Sequence, residues 1–72
     1  MERFKVILKN GRIRDPSRFV VFLSYHFGVG ALMDVQQAQI RQFRVLKANK
    51  EKMEEIRCWF KERGIELKYE KI

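Results

Sequence analysis

Two stretches of period-two alternation stand at opposite ends of this 72-residue chain, and a fold built from it has to place both of them in a sheet. From Arg3 to Lys9, the residues Phe4, Val6 and Leu8 fall on one side and Lys5, Ile7 and Lys9 on the other, which is the period of a strand with one buried face. From Ile65 to Ile72, the residues Ile65, Leu67 and Tyr69 alternate with Glu66, Lys68 and Glu70. The charged outer face of this second stretch suits the edge of a sheet, where charge discourages pairing with another chain.

Between them, two helices are marked by their ends. Asp15 followed by Pro16 starts the first, because the carboxylate caps free amides and proline at the first helical position has no amide to leave unpaired. Gly28 and Gly30 end it, giving a helix over 16–27 whose arc of Phe19, Phe22, Leu23, His26 and Phe27 is expected to face the core. Val21 and Tyr25 lie on its far side. Asn49 is the expected N-cap of the second helix, over 50–63; Met53, Ile56 and Phe60 share one face, and Gly64 supplies the left-handed residue that stops it. Asn10 and Gly11 form a turn after the first strand, and Ile13 adds a short extended piece.

The segment 31–48 supports two readings. As two strands, it turns Ala31, Met33 and Val35 inward on the first and Phe43 and Val45 on the second, with a turn among Gln36, Gln37, Ala38 and Gln39. As helix, residues 32–46 have good propensity, but the result is a small sheet carrying three helices, one of them unusually long. The strand reading is favoured. The order is then β-α-β-β-α-β, and two right-handed crossovers with both helices on one sheet face give an α+β, ferredoxin-like sandwich. In that fold the first and third strands are neighbours at the centre of the sheet. Its open face displays Lys5, Ile7 and Lys9, Arg44 and Leu46, and Lys68.

Seventy-two residues make one domain, spanning 1–72, that buries only about 60% of its unfolded surface. With the lone Cys58, neither an internal disulfide nor a cysteine metal cluster is available. Packing must supply the stability, with a second copy of the chain as a further source of burial. No run approaches the roughly 20 apolar residues of a membrane span, and the charged Met1–Lys9 stretch lacks the apolar region of a signal peptide. The expected setting is cytoplasmic.

Charge is the feature that speaks of a partner. Residues 1–50 carry ten Lys/Arg against Glu2, Asp15 and Asp34, a sum of +7, whereas residues 51–72 carry six basic and six acidic residues and sum to zero. Excess charge segregated in this way gives a sustained positive potential, the footprint of a protein that meets polyanions. The basic residues divide into Arg3–Arg18 and Arg41–Lys50, with no Lys or Arg from Phe19 to Ile40. Lys5, Lys9, Arg12, Arg14, Arg41, Arg44 and Lys47 are the expected nucleic-acid-binding residues, the arginines foremost because their fork matches phosphate. A solvated basic surface that serves only solubility is the bland alternative.

Enzymatic constellations are nearly absent. His26, the single histidine, reads as a core imidazole, and Cys58, opposite the Met53–Phe60 face of its helix, as an exposed and inert thiol. Gly28-Val29-Gly30 lacks the third glycine and the Lys-Ser/Thr ending of a phosphate loop. No carboxylate pair stands out. Neither catalysis, a metal, a cofactor nor a small-molecule substrate is expected. No aromatic RNA-recognition signature is present, and 27–42 fits a helix-turn-helix poorly because it has no basic residue before Arg41. The expected function is therefore a non-enzymatic domain that binds RNA or DNA through backbone phosphates. The competing reading is a protein-interaction or homodimerisation module built on Val21, Tyr25 and Trp59, aromatic and apolar residues at or beyond the rim of the expected core.

Overall fold

The computed structural model describes residues 2–72, in the order β1 (Glu2–Leu8), α1 (Pro16–Phe27), β2 (Gly30–Leu32), β3 (Gln42–Ala48), α2 (Lys50–Glu62) and β4 (Leu67–Lys71). The four strands form one antiparallel sheet in the spatial order β2-β3-β1-β4. The first and third strands are thus the central pair, both helices cover one face, and the architecture is the ferredoxin-like α+β sandwich. The helical alternative for 32–46 does not occur, since that stretch is the end of β2, a loop and most of β3.

Local chemistry sets the helix limits. The Asp15 side chain accepts from the Arg18 amide at 3.2 Å with Pro16 in the first turn of α1, and the Asn49 side chain accepts from the Lys52 amide at 2.8 Å at the start of α2. Gly28, at φ 69°, closes α1 in the left-handed conformation that a side chain resists. Gly30 does not help to end the helix; it is the first residue of β2.

Phe4, Val6 and Leu8 of β1, Phe43 and Val45 of β3 and Leu67 of β4 are buried beneath Leu23 of α1 and Met53, Ile56 and Phe60 of α2. Ile13 and Ile40, outside the named strands, are also buried and exchange two backbone hydrogen bonds of 2.8 and 3.0 Å. The Asn10 side chain donates to the Gly64 carbonyl at 2.9 Å and accepts from the Glu66 amide at 2.6 Å, clamping the loop after β1 to the turn before β4. The Ile72 amide donates to the Arg3 carbonyl at 3.0 Å, so the two ends of the described chain lie side by side.

Three features depart from expectation. His26 is exposed, its ring stacked on Phe22 at 5.1 Å and close to Phe27 and Trp59. The flank of α1 that holds Phe22 and His26 overlooks the gap between the helices and not the sheet. Second, β2 stops at Leu32, and Val35 is 56% exposed. Asp34 turns the chain there, its carboxylate accepting from the Gln36 amide at 3.1 Å and its carbonyl from the Gln37 amide at 3.2 Å. Third, β3 contains a bulge: Glu2 pairs with Ala48 and Phe4 with Val45, so Leu46 and Lys47 together oppose Arg3. Lys47 takes φ 57° in doing so. Val45 and Ala48 are three apart, which in a regular strand puts them on opposite faces; the bulge lets both face the helices.

Candidate nucleic-acid interface

The side chains on the open face of the sheet follow from the strand register. One row across the sheet reads Leu32, Arg44, Lys5, Glu70, and the next reads Gln42, Ile7, Lys68. Lys5 therefore stands directly opposite Arg44 on the central strands, a like-charge pairing of a kind that destabilises a sheet. Neither has an acidic partner within ion-pair distance among the described residues. They border a shallow depression of about 440 Å³ that also takes in Leu32, Asp34 and Gln42.

A second depression, of about 510 Å³, lies at the end of the sheet and is lined by Arg12, Arg41, Gln37, Gln39 and Gln42. The Ile13–Ile40 bridge brings the loop after β1 against the residues before β3, so that Arg12 and Arg41, the residues next to the bridge on the two segments, line the same depression. Arg12 donates to the Gln39 side chain, which holds its guanidinium over this end. Gln42 lines both depressions, so the two adjoin.

The expected binding residues therefore form one group and several outliers. Lys5, Arg44, Arg12 and Arg41 line the adjoining depressions. Arg14 is exposed beside the Ile13 bridge. Lys9 is within 3.8 Å of a Glu66 carboxylate oxygen, its charge partly offset. Lys47 sits in the bulge at the far end of β3, about 20 Å along the strand from Arg41 at 3.3 Å per residue. Sequence reasoning missed the glutamines that line the sheet end. A signal was available, since no acid occurs between Asp34 and Glu51 while Gln36, Gln37, Gln39 and Gln42 do.

Aromatic rings keep to the other side. Phe4 and Phe43 face the helices and are buried, and Tyr69, paired with Val6, shares their side of the sheet. On the helix layer, Tyr25 is 91% and Val21 58% exposed, as expected. Trp59 is half-buried, 4.8 Å from the Phe22 ring, with the Arg63 guanidinium carbon 3.7 Å from its own ring centre.

One cluster of ionisable groups has perturbed proton affinities. Glu54 of α2 is gripped by Arg57, with nitrogen–oxygen distances of 2.9 and 3.1 Å, and accepts from the Tyr69 hydroxyl of β4. These hydrogen bonds, Arg57's first, hold the Glu54 carboxyl down at about 2, and the same contacts push the Tyr69 phenol and the Arg57 guanidinium up. Both Glu54 and Tyr69 move away from neutrality, the opposite of what acid–base catalysis needs. The cluster is a latch between α2 and β4. Cys58 is exposed. Among the described residues, no three His, Cys, Asp or Glu side chains converge as a metal site, and no helix is long and apolar enough to cross a membrane.

Comparison with protein-family models, with curated proteins and with solved structures gives no significant match.

Proposed function

We propose that this protein is a small, non-enzymatic domain that binds RNA or DNA through backbone phosphates along the adjoining depressions, in a cytoplasmic setting. Lys5 and Arg44 meet the phosphates on the open sheet face, and Arg12 and Arg41 meet them at its end. The observation that carries this reading is the distribution of ion pairs. Among the described residues, only Lys9 of the ten basic residues in 1–50 has an acidic partner, whereas Lys52, Arg57, Arg63 and Lys71 are each paired. Lys5 and Arg44 are a like-charge pair at the centre of the sheet, and the one acid across from them, Glu70 opposite Lys5, makes no ion pair with either among the described residues; arginine forks bind phosphate oxygens in pairs.

Labelled single-stranded RNA and duplex DNA, titrated by fluorescence anisotropy at several salt concentrations, test the proposal. Binding is expected at low salt and is expected to weaken steeply as salt rises, and Arg41→Glu with Arg44→Glu should reduce affinity at least tenfold for every sequence. No binding at low salt would overturn it.

A second reading, self-association through the outer face of α1, is favoured by the exposure of Tyr25 and Val21. Light scattering after gel filtration decides it: a monomer at millimolar concentration removes the homodimer.

A further inference from the structure

The two helices are held apart by rings. Phe19 of α1 lies 5.5 Å from Phe60 and Phe22 lies 4.8 Å from Trp59, both of α2. Toward the start of α1 this leaves an open groove of about 430 Å³, floored by Phe19, Phe22, Trp59 and Phe60. Its rim carries Arg12, Arg18 and Arg63. The one carboxylate on the rim, Asp15, is engaged as the cap of α1. Glu62, 3.8 Å from Arg63, is the only acid paired to a rim arginine among the described residues.

Position gives the groove its meaning. Arg12 and Leu8 line it and also line the depression at the end of the sheet. The surface therefore runs from Lys5 and Arg44, past Gln42 and Arg41, over Arg12 and into the aromatic groove. A strand that follows the basic part arrives at a place where polar lining gives way to aromatic rings with arginines above them.

We propose that this groove takes an unpaired base of a single-stranded nucleic acid, while the flanking phosphates lie on Arg12 and Arg18. The inference rests on the nucleic-acid reading above and adds to it the class of substrate. Three properties select this occupant. Aromatic faces and guanidinium planes are the two surfaces on which single-stranded bases stack, and the groove holds both, the rings of Phe19 and Phe22 beside the Arg63 guanidinium that lies over Trp59. The rim is positive, which suits a ligand that carries a phosphate at each step. A duplex keeps its bases stacked inside and has nothing apolar to insert, so it engages only the sheet end.

Trp59 is the only tryptophan of the chain and lies in the groove, so its emission reports on occupancy directly. An eight-nucleotide oligouridine, an oligoadenosine of the same length and a duplex are titrated into the intact protein at low salt. Anisotropy of the labelled nucleic acid and Trp59 emission are read in parallel. The single strands are expected to quench Trp59 and to bind at least tenfold more tightly than the duplex. Phe22→Leu, checked for folding by circular dichroism, should lower single-strand affinity roughly tenfold and leave duplex affinity unchanged. Anisotropy changes without Trp59 quenching, or equal affinity for the duplex, would overturn the groove and leave the phosphate reading standing. Absence of any anisotropy change would overturn both. Displacement of the single strand from Trp59 by polyglutamate at equal charge concentration would show that the groove answers to negative charge alone, and would also overturn the base-binding inference.

Discussion

Glu54 belongs to a helix on which no carboxylate pair stands out from sequence, yet it is the carboxylate whose proton affinity the fold changes most. Its carboxyl titrates at about 2, while an ordinary glutamate titrates near 4.5. A lowered folded-state value means that the charged form contributes stability in full above about pH 4.5, and that this contribution is lost as pH falls from there through about 2. Glu54→Gln should therefore lower the melting temperature at pH 7, and the gap from the unmodified protein should close as pH approaches 2. A gap that is the same at pH 7 and pH 2 would show that the latch acts by shape and not by charge. The partner that makes the latch, Tyr69, lies 15 residues away on another element, so no local pattern announces it. His26 carries the same lesson from the other side. Angular position on α1 groups it with the core residues, but angle alone does not say which flank of a helix has a sheet beneath it, and here one flank overhangs a gap.

Elements bounded by local chemistry were legible, and those bounded by distant partners were not. α1 and α2 begin where Asp15 and Asn49 cap them, and such caps act within one turn. β1 and β4 are betrayed by alternation, because each has one face on the core. The alternation of Ala31, Met33 and Val35 marks β2 as a strand but overruns it; the strand is only three residues long because Gly30, Ala31 and Leu32 alone find Leu46, Val45 and Arg44 beside them. The bulge in β3 was invisible, although it decides which residues face the helices. Its cost can be measured. A non-glycine residue in the left-handed region costs roughly 1–2 kcal/mol, offset in part by the greater unfolded freedom of glycine, so Lys47→Gly should stabilise the protein by about 0.5–1 kcal/mol. Urea denaturation checks this, and a loss of stability would mean that Lys47 makes compensating contacts through its side chain.

At the scale of the molecule, the neutral second part of the chain pairs Lys52, Arg57 and Arg63 with its own acids, and Glu66 and Lys71 with Lys9 and Glu2 of the first part. Of the excess, Lys5 and Arg44 lie on the central strands and Arg12 and Arg41 at one end of the sheet, while Arg3 and Lys47 lie at the other end. The charge asymmetry was legible in the sequence, as was the adjacency of the first and third strands. That Arg12 and Arg41 line one depression was not, because it depends on the Ile13–Ile40 bridge across 27 residues of chain. If Lys5, Arg12, Arg41 and Arg44 each displace one counterion from a single strand, the logarithm of affinity should fall with the logarithm of salt at a slope of about −3, and at about half that in the doubly substituted Arg41→Glu, Arg44→Glu protein. The hydrogen bond from Ile72 to Arg3 has a practical consequence for such measurements. Chain joined after Ile72 emerges at the end of the sheet remote from Arg12 and Arg41, so a fluorescent tag, an affinity handle or a fused carrier placed there stands clear of that end of the surface being assayed.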